Sequence, residues 1–144
     1  MRNVRRRFEW EAVGSVVFWL VCTSAGAQTV KQAPAQRIQS VAGADTFKAY
    51  FAVCHGEQGR GNGPAAWALK RSPADLTGIA RRRGGTFSAA DVEAVITGGQ
   101  VVASHGTREM PIWGPVFTSL SPDPSFAKLR MANLIDYLKS IQTP

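Results

Sequence analysis

Tyr50-Phe51-Ala52-Val53-Cys54-His55-Gly56 is the stretch from which the rest of the chain is read. Its aromatic residues belong to a predicted helix over Asp45 to Val53, in which Phe47, Tyr50 and Phe51 recur at helical spacing and Asp45 is the expected N-cap. A thiol and an imidazole then stand side by side, and the helix runs into a segment crowded by Gly56, Gly59, Gly61, Gly63 and Pro64. Further along, a short helical piece is predicted over Ala65 to Lys70. Ser88 is expected to cap Ala89 to Thr97, with Val92, Val95 and Ile96 on one face and Gly98-Gly99 as the stop. A last helix begins after Pro122 and Pro124; Met131, Leu134, Leu138 and Ile141 form its apolar stripe, widened by Ile135. No segment alternates as a strand would, and Val101-Val102 is too short for a sheet, so the fold class is all-α. Gly106, Pro111, Gly114 and Pro115 mark a second long loop. Long structureless loops are unusual in a compact domain, and a few helices supply little apolar bulk. A large apolar cofactor at the centre would resolve both problems.

Composition bounds the alternatives. Of 144 residues, 44% are hydrophobic and 19% charged, which is not the profile of a disordered polyelectrolyte. No apolar run reaches the roughly 18 residues of a membrane span, so multi-span insertion is excluded. Two cysteines and two histidines exclude a disulfide scaffold and a four-thiolate zinc site. Arg2, Arg5, Arg6 and Arg7 precede the apolar stretch Ala12 to Cys22, and Ser24-Ala25-Gly26-Ala27 follows. That order predicts a signal peptide over residues 1–27 and periplasmic export, or a membrane anchor if it stays uncleaved. Cleavage removes four arginines and two glutamates from 17 basic and 10 acidic residues, leaving 13 and 8, a net charge of +5. Residues 28–40 read as a flexible lead-in and 41–144 as one domain. The basic balance raises nucleic-acid binding, but scattered charge, export and the absence of a recognised motif argue against it.

The chemistry concentrates at F-x-x-C-H. The c-type haem attachment signature is C-x-x-C-H: two thiols about one helical turn apart reach the two vinyl groups, and the adjacent histidine turns its ring to the iron. Phe51 stands where the first thiol would be. With Phe47 four residues earlier, the glycine-rich run after the motif, and Leu134-Ile135-Asp136-Tyr137-Leu138 near the end, the chain resembles the class I cytochrome c family in its bacterial exported branch. The resemblance covers about Val41 to Ile141.

It implies a small cytochrome c-like fold of three to five helices, with Gly/Pro-rich loops wrapped around one haem c. His55 looks like the proximal iron ligand, Cys54 like the remaining thioether cysteine, and the Pro64 carbonyl like the acceptor for the Nδ1–H of His55. Met110, in Gly106-Thr107-Arg108-Glu109-Met110-Pro111-Ile112-Trp113-Gly114, looks like the distal ligand in the Met-Pro-x-Trp-Gly loop of related bacterial cytochromes. Phe47, Leu134 and Tyr137 resemble the crossing of first and last helices, with Gly43 as its close-approach glycine. Phe51 would pack on the unreacted vinyl, and Trp67 and Trp113 would line the crevice or donate an indole N–H to a propionate. The haem would be held by one thioether, held without a covalent bond, or absent.

The implied function is a periplasmic electron carrier, not an enzyme, working with a membrane cytochrome complex, a terminal oxidase or a periplasmic dehydrogenase. The alternatives are a haem peroxidase-like enzyme, which needs an open sixth position that Met110 argues against, and a degenerate, non-haem accessory protein. His105 reads as a loop histidine near the haem edge or a substitute ligand. A Cys54–His105 dyad lacks an orienting third residue, and zinc on Cys54, His55 and His105 lacks a fourth ligand. Arg81-Arg82-Arg83 is a solvated surface, a partner for haem propionates, or a docking site for an acidic protein.

Overall fold

The computed structural model describes residues 35–99 and 110–144. The predicted signal peptide, the first part of the lead-in, Val101-Val102 and His105 lie outside these residues. Among the described residues the secondary structure is helical, without strands, as the all-α reading expects. The helices are α1 (Gly43–Tyr50), α2 (Ala52–His55), α3 (Ile79–Arg82), α4 (Ala89–Ile96), α5 (Trp113–Leu120) and α6 (Pro124–Ser140). Short 3₁₀ turns occupy Ala66–Ala68 and Leu76–Gly78. Six helices exceed the three to five expected.

The first helix starts two residues before the expected Asp45, with Ala42 as N-cap. Asp45 sits in the first turn, where its carboxylate faces the unpaired N–H end of the helix and accepts the Ser40 hydroxyl at 2.6 Å. Helical bonding continues through the irregular Phe51 (φ −111°), whose N–H reaches Phe47 O and whose carbonyl takes the His55 N–H at 2.8 Å. α1 and α2 are therefore one bent rod with His55 at its end. For α4, Ser88 caps as expected, its hydroxyl accepting the Asp91 N–H. α6 opens with Asp123 accepting the Ser125 N–H at 2.7 Å and Pro124 in the first turn, where a missing N–H costs nothing.

The sequence reading placed Gly114 and Pro115 in a loop, but they lie in the first turn of α5. A proline there loses no intrahelical bond. The helix is held by its i, i+4 partners: Trp113 and Phe117 pack with ring centroids 5.5 Å apart and are both buried.

α1 crosses α6 at Gly43. A Cβ at that position would overlap the carbonyl of Asn133 and lie 2.7 Å from the Tyr137 Cβ. The two backbones meet there because no side chain separates them. Beside the crossing, Phe47 packs on Tyr137 at 5.2 Å, and Leu134 is completely buried. The chain before α1 is held too: Tyr50 donates its hydroxyl to Gln36 O at 2.8 Å, Arg130 donates to Ile38 O at 3.1 Å, and Asn133 to Val41 O at 2.9 Å. The folded body thus takes in residues that the sequence reading counted with the lead-in.

Because the space at the crossing is filled by main chain, Gly43→Val forces the helices apart. The expected cost is about 2 kcal/mol, or about 10 °C in melting temperature for a domain of this size. Thermal unfolding followed by circular dichroism measures it; an unchanged midpoint would show that α1 and α6 do not meet there.

Candidate functional site

His55 owes its position to the loop that folds back over the end of α2. The last carbonyls of a helix have no partner within it. Here the loop supplies them: Ala65 N–H donates to Val53 O at 2.8 Å, Gly63 N–H to Cys54 O at 3.0 Å, and Gly61 N–H to His55 O at 2.7 Å. Gly56 makes the reversal possible, with φ +79° and no room for a Cβ against the Asn62 side chain. The imidazole is buried, and its Nδ1 lies 3.0 Å from the carbonyl oxygen of Ala74. The sequence reading named Pro64 for that bond. Pro64 is exposed, and the carbonyl facing Nδ1 comes from nineteen residues along the chain. The tautomer logic is unchanged: a carbonyl at Nδ1 keeps the proton there and leaves the basic electron pair to Nε2.

His55 lines a cavity of about 400 Å³, within the range of small-molecule and cofactor sites. Phe51 and Met110 line the same cavity. Its apolar wall includes Leu76 and Ile79 around α3, Val92, Val95 and Ile96 on α4, and Leu138 on α6. Its charged side chains, Asp75, Arg82, Arg83 and Asp91, are all exposed or half-exposed. Arg83 is ion-paired with Asp91. Arg82 donates to the Asp75 carbonyl at 2.7 Å. Arg81 turns away, toward the Thr143 hydroxyl and the Pro144 carbonyl. The arginine run therefore divides: two of its members line the cavity and one ties down the C-terminus.

The remaining site residues from the sequence fall elsewhere. Cys54 is half-buried and does not line the cavity; burial pushes its thiol pKa up, so it is protonated at neutral pH. Trp113 is buried behind Phe51, ring centroids 5.0 Å apart, and its Nε1 has no acceptor among the described residues. Trp67, expected in a crevice, is 82% exposed. Two contributors went unnoticed in the sequence, Ala74 and Asp75. Asp-Leu-Thr at 75–77 was the available signal for the second: the Asp75 carboxylate accepts Thr77 N–H at 2.9 Å and the Thr77 hydroxyl at 2.7 Å, starting the turn that leads into α3.

No family model matches the chain, and neither a curated protein nor a solved structure matches it. Among the described residues no helix is long and apolar enough to cross a membrane.

The Thr77 hydroxyl bond, joined by the Thr77 N–H and the charges of Arg82 and Arg81, outweighs a small burial effect and holds the Asp75 carboxyl below the ordinary carboxylate range. A depressed folded pKa stabilises the protein above the unfolded value and is lost as pH falls through the folded one. Asp75→Ala is expected to lose about 1 kcal/mol at neutral pH. The difference from the parent chain should shrink as pH falls below about 4. Urea unfolding of both chains across that range checks the convergence.

Proposed function

We propose that this chain is a one-electron carrier that holds a single haem in the cavity between α2, α3, α4 and α6. The observation that carries the reading is that His55 and Met110, the two side chains with donors suited to haem iron, line one apolar cavity. The fit extends to its surroundings. The wall is hydrophobic, Phe51 presents a ring in place of the missing thiol, and two arginines stand among its exposed residues. Trp113 Nε1, a buried donor lacking an acceptor among the described residues, lies directly behind Phe51.

In this reading Nε2 of His55 and Sδ of Met110 are the iron ligands. The Ala74 carbonyl orients the imidazole through Nδ1 and raises the basicity of Nε2. The soft thioether of Met110 favours the reduced metal over what a second imidazole would give. Cys54 supplies one thioether bond, and Phe51 packs where the second would form. The apolar wall excludes water, which raises the cost of extra charge in the site. Haem iron, when bound, supplies the one-electron chemistry by alternating between ferric and ferrous states. Arg82 and Arg83 offer cations to propionates. The cellular setting that goes with this reading is the periplasm, with a membrane cytochrome complex, a terminal oxidase or a periplasmic dehydrogenase as exchange partner. The basic surface would steer an acidic partner, with rates that fall as salt rises.

The deciding experiment is the visible spectrum of the chain produced together with haem-attachment machinery. A red protein with the weak charge-transfer band of Met-ligated ferric haem is expected; a folded, colourless protein overturns the reading. Met110→Ala should abolish that band and lower the potential by about 100 mV or more. Acid-acetone should leave the haem on the parent chain and strip it from Cys54→Ser. Extraction from both would show that no thioether forms.

A further inference from the structure

The segment Ala65-Ala66-Trp67-Ala68-Leu69-Lys70-Arg71 is unexplained by the cavity. It forms a 3₁₀ turn over Ala66–Ala68. Trp67 at its tip is 82% exposed, the most exposed large apolar side chain among the described residues. The turn is held in place: Ala66 N–H donates to Gly63 O at 2.9 Å, Ala68 N–H to Ala65 O at 3.1 Å, and Ala65 N–H to Val53 O at 2.8 Å. That last bond sets the turn against Val53, which is itself 49% exposed. An indole thus stands on a fixed turn tied to a second exposed apolar residue. The charge around it has one sign. From Gln58 to Ala74 the chain carries Arg60, Lys70 and Arg71 and no carboxylate, and all three cations are exposed.

We propose that this turn is a membrane-surface contact, in which Trp67 enters the headgroup layer of an anionic phospholipid bilayer while Lys70 and Arg71 lie against lipid phosphates. An indole is amphipathic, with an apolar ring and one N–H donor, and is the side chain most suited to the lipid–water interface. Leaving it in water exposes apolar surface with no return inside the protein. Held by main-chain bonds, the turn has little conformational freedom to lose on binding. Adjacent cations select an anionic surface, each worth about fivefold in partition near it. An acidic protein surface would meet the same cations, but it needs a matching pocket for the indole, whereas a bilayer accepts it anywhere. The contact involves none of the cavity residues, so it stands or falls independently of haem binding.

The test is co-sedimentation of the full chain with vesicles of phosphatidylglycerol and phosphatidylcholine at 0.15 M salt, a medium with a Debye length of about 8 Å. Trp67→Ala keeps every charge and is expected to weaken partition about tenfold, with an unchanged thermal midpoint because the side chain is exposed. Lys70→Gln with Arg71→Gln should weaken it about twenty-fivefold. Pure phosphatidylcholine vesicles should bind the parent chain no better than the double variant binds anionic ones. Brominated lipid should quench the indole emission of the parent chain more than that of Trp67→Ala. Equal partition and quenching of Trp67→Ala and parent would overturn the proposal and assign any binding to net charge or to the N-terminal apolar stretch. A Trp67-dependent complex with polyglutamate, without Trp67-dependent partition into vesicles, would overturn it in favour of an acidic protein partner.

Discussion

The contact between Gly43 and the Asn133 main chain sets the geometry on which the cavity depends. The carbonyl of Asn133 occupies the space that a Cβ at position 43 would need. With the backbones that close, Phe47 lies over Tyr137 and Leu134 is sealed completely. α1 then runs through Phe51 into α2 without a loop, so the crossing also decides where His55 arrives. The glycine-rich return fixes the other end by bonding the carbonyls of Val53, Cys54 and His55. The imidazole is positioned from both sides by main-chain contacts, and its Nδ1 is met by a further main-chain atom, the Ala74 carbonyl. A ligand held this way needs few neighbouring side chains to orient it.

Legibility in the sequence followed the type of interaction. α4 was readable because its start and stop are side-chain and glycine signals: the Ser88 hydroxyl on Asp91 N–H and Gly98 at φ +80°. α6 was readable from its apolar stripe, of which Met131, Leu134 and Leu138 are buried. α5 was missed because Gly114 and Pro115 are breakers in most contexts, and only their placement in a first turn removes the penalty. The acceptor for His55 was misplaced for a deeper reason. Every residue offers a carbonyl, so a main-chain partner nineteen positions away leaves no mark on residue type. Trp67 shows the converse: an aromatic residue beside a glycine-rich loop is usually packed, and only tertiary structure reveals that nothing covers it.

Arg130 is a further residue whose setting the pattern conceals. It sits on α6 with 3% exposure. Its guanidinium lies 5.9 Å from the ring centres of both Tyr50 and Phe117 and reaches Ile38 O. Arginine suits that position because its planar, weakly hydrated head stacks on aromatic faces, which a lysine ammonium does less well. Tyr50 and Phe117 also pack on Trp113, and Trp113 packs on Phe51, which lines the cavity. One continuous aromatic cluster therefore joins the segment before α1 to the wall of the candidate site.

Phe51 is where that cluster and the attachment motif meet. Viewed only against C-x-x-C-H, it is a lost thiol. In the fold it is 3% exposed, stacked on Phe47 at 6.1 Å and packed on Trp113 at 5.0 Å. Shrinking a buried phenyl ring to a thiol leaves a void, and large-to-small changes of that kind cost about 3 kcal/mol where the surroundings cannot collapse. A cysteine at 51 would have to offset that loss through a second covalent bond. The present residue instead takes its stability from the core and spends none of it on attachment. Iron ligation in the proposed function does not depend on the missing thioether, because the ligands come from His55 and Met110. The departure from the motif is, in physical terms, an exchange of a covalent tether for aromatic packing at a position where the fold rewards a large ring.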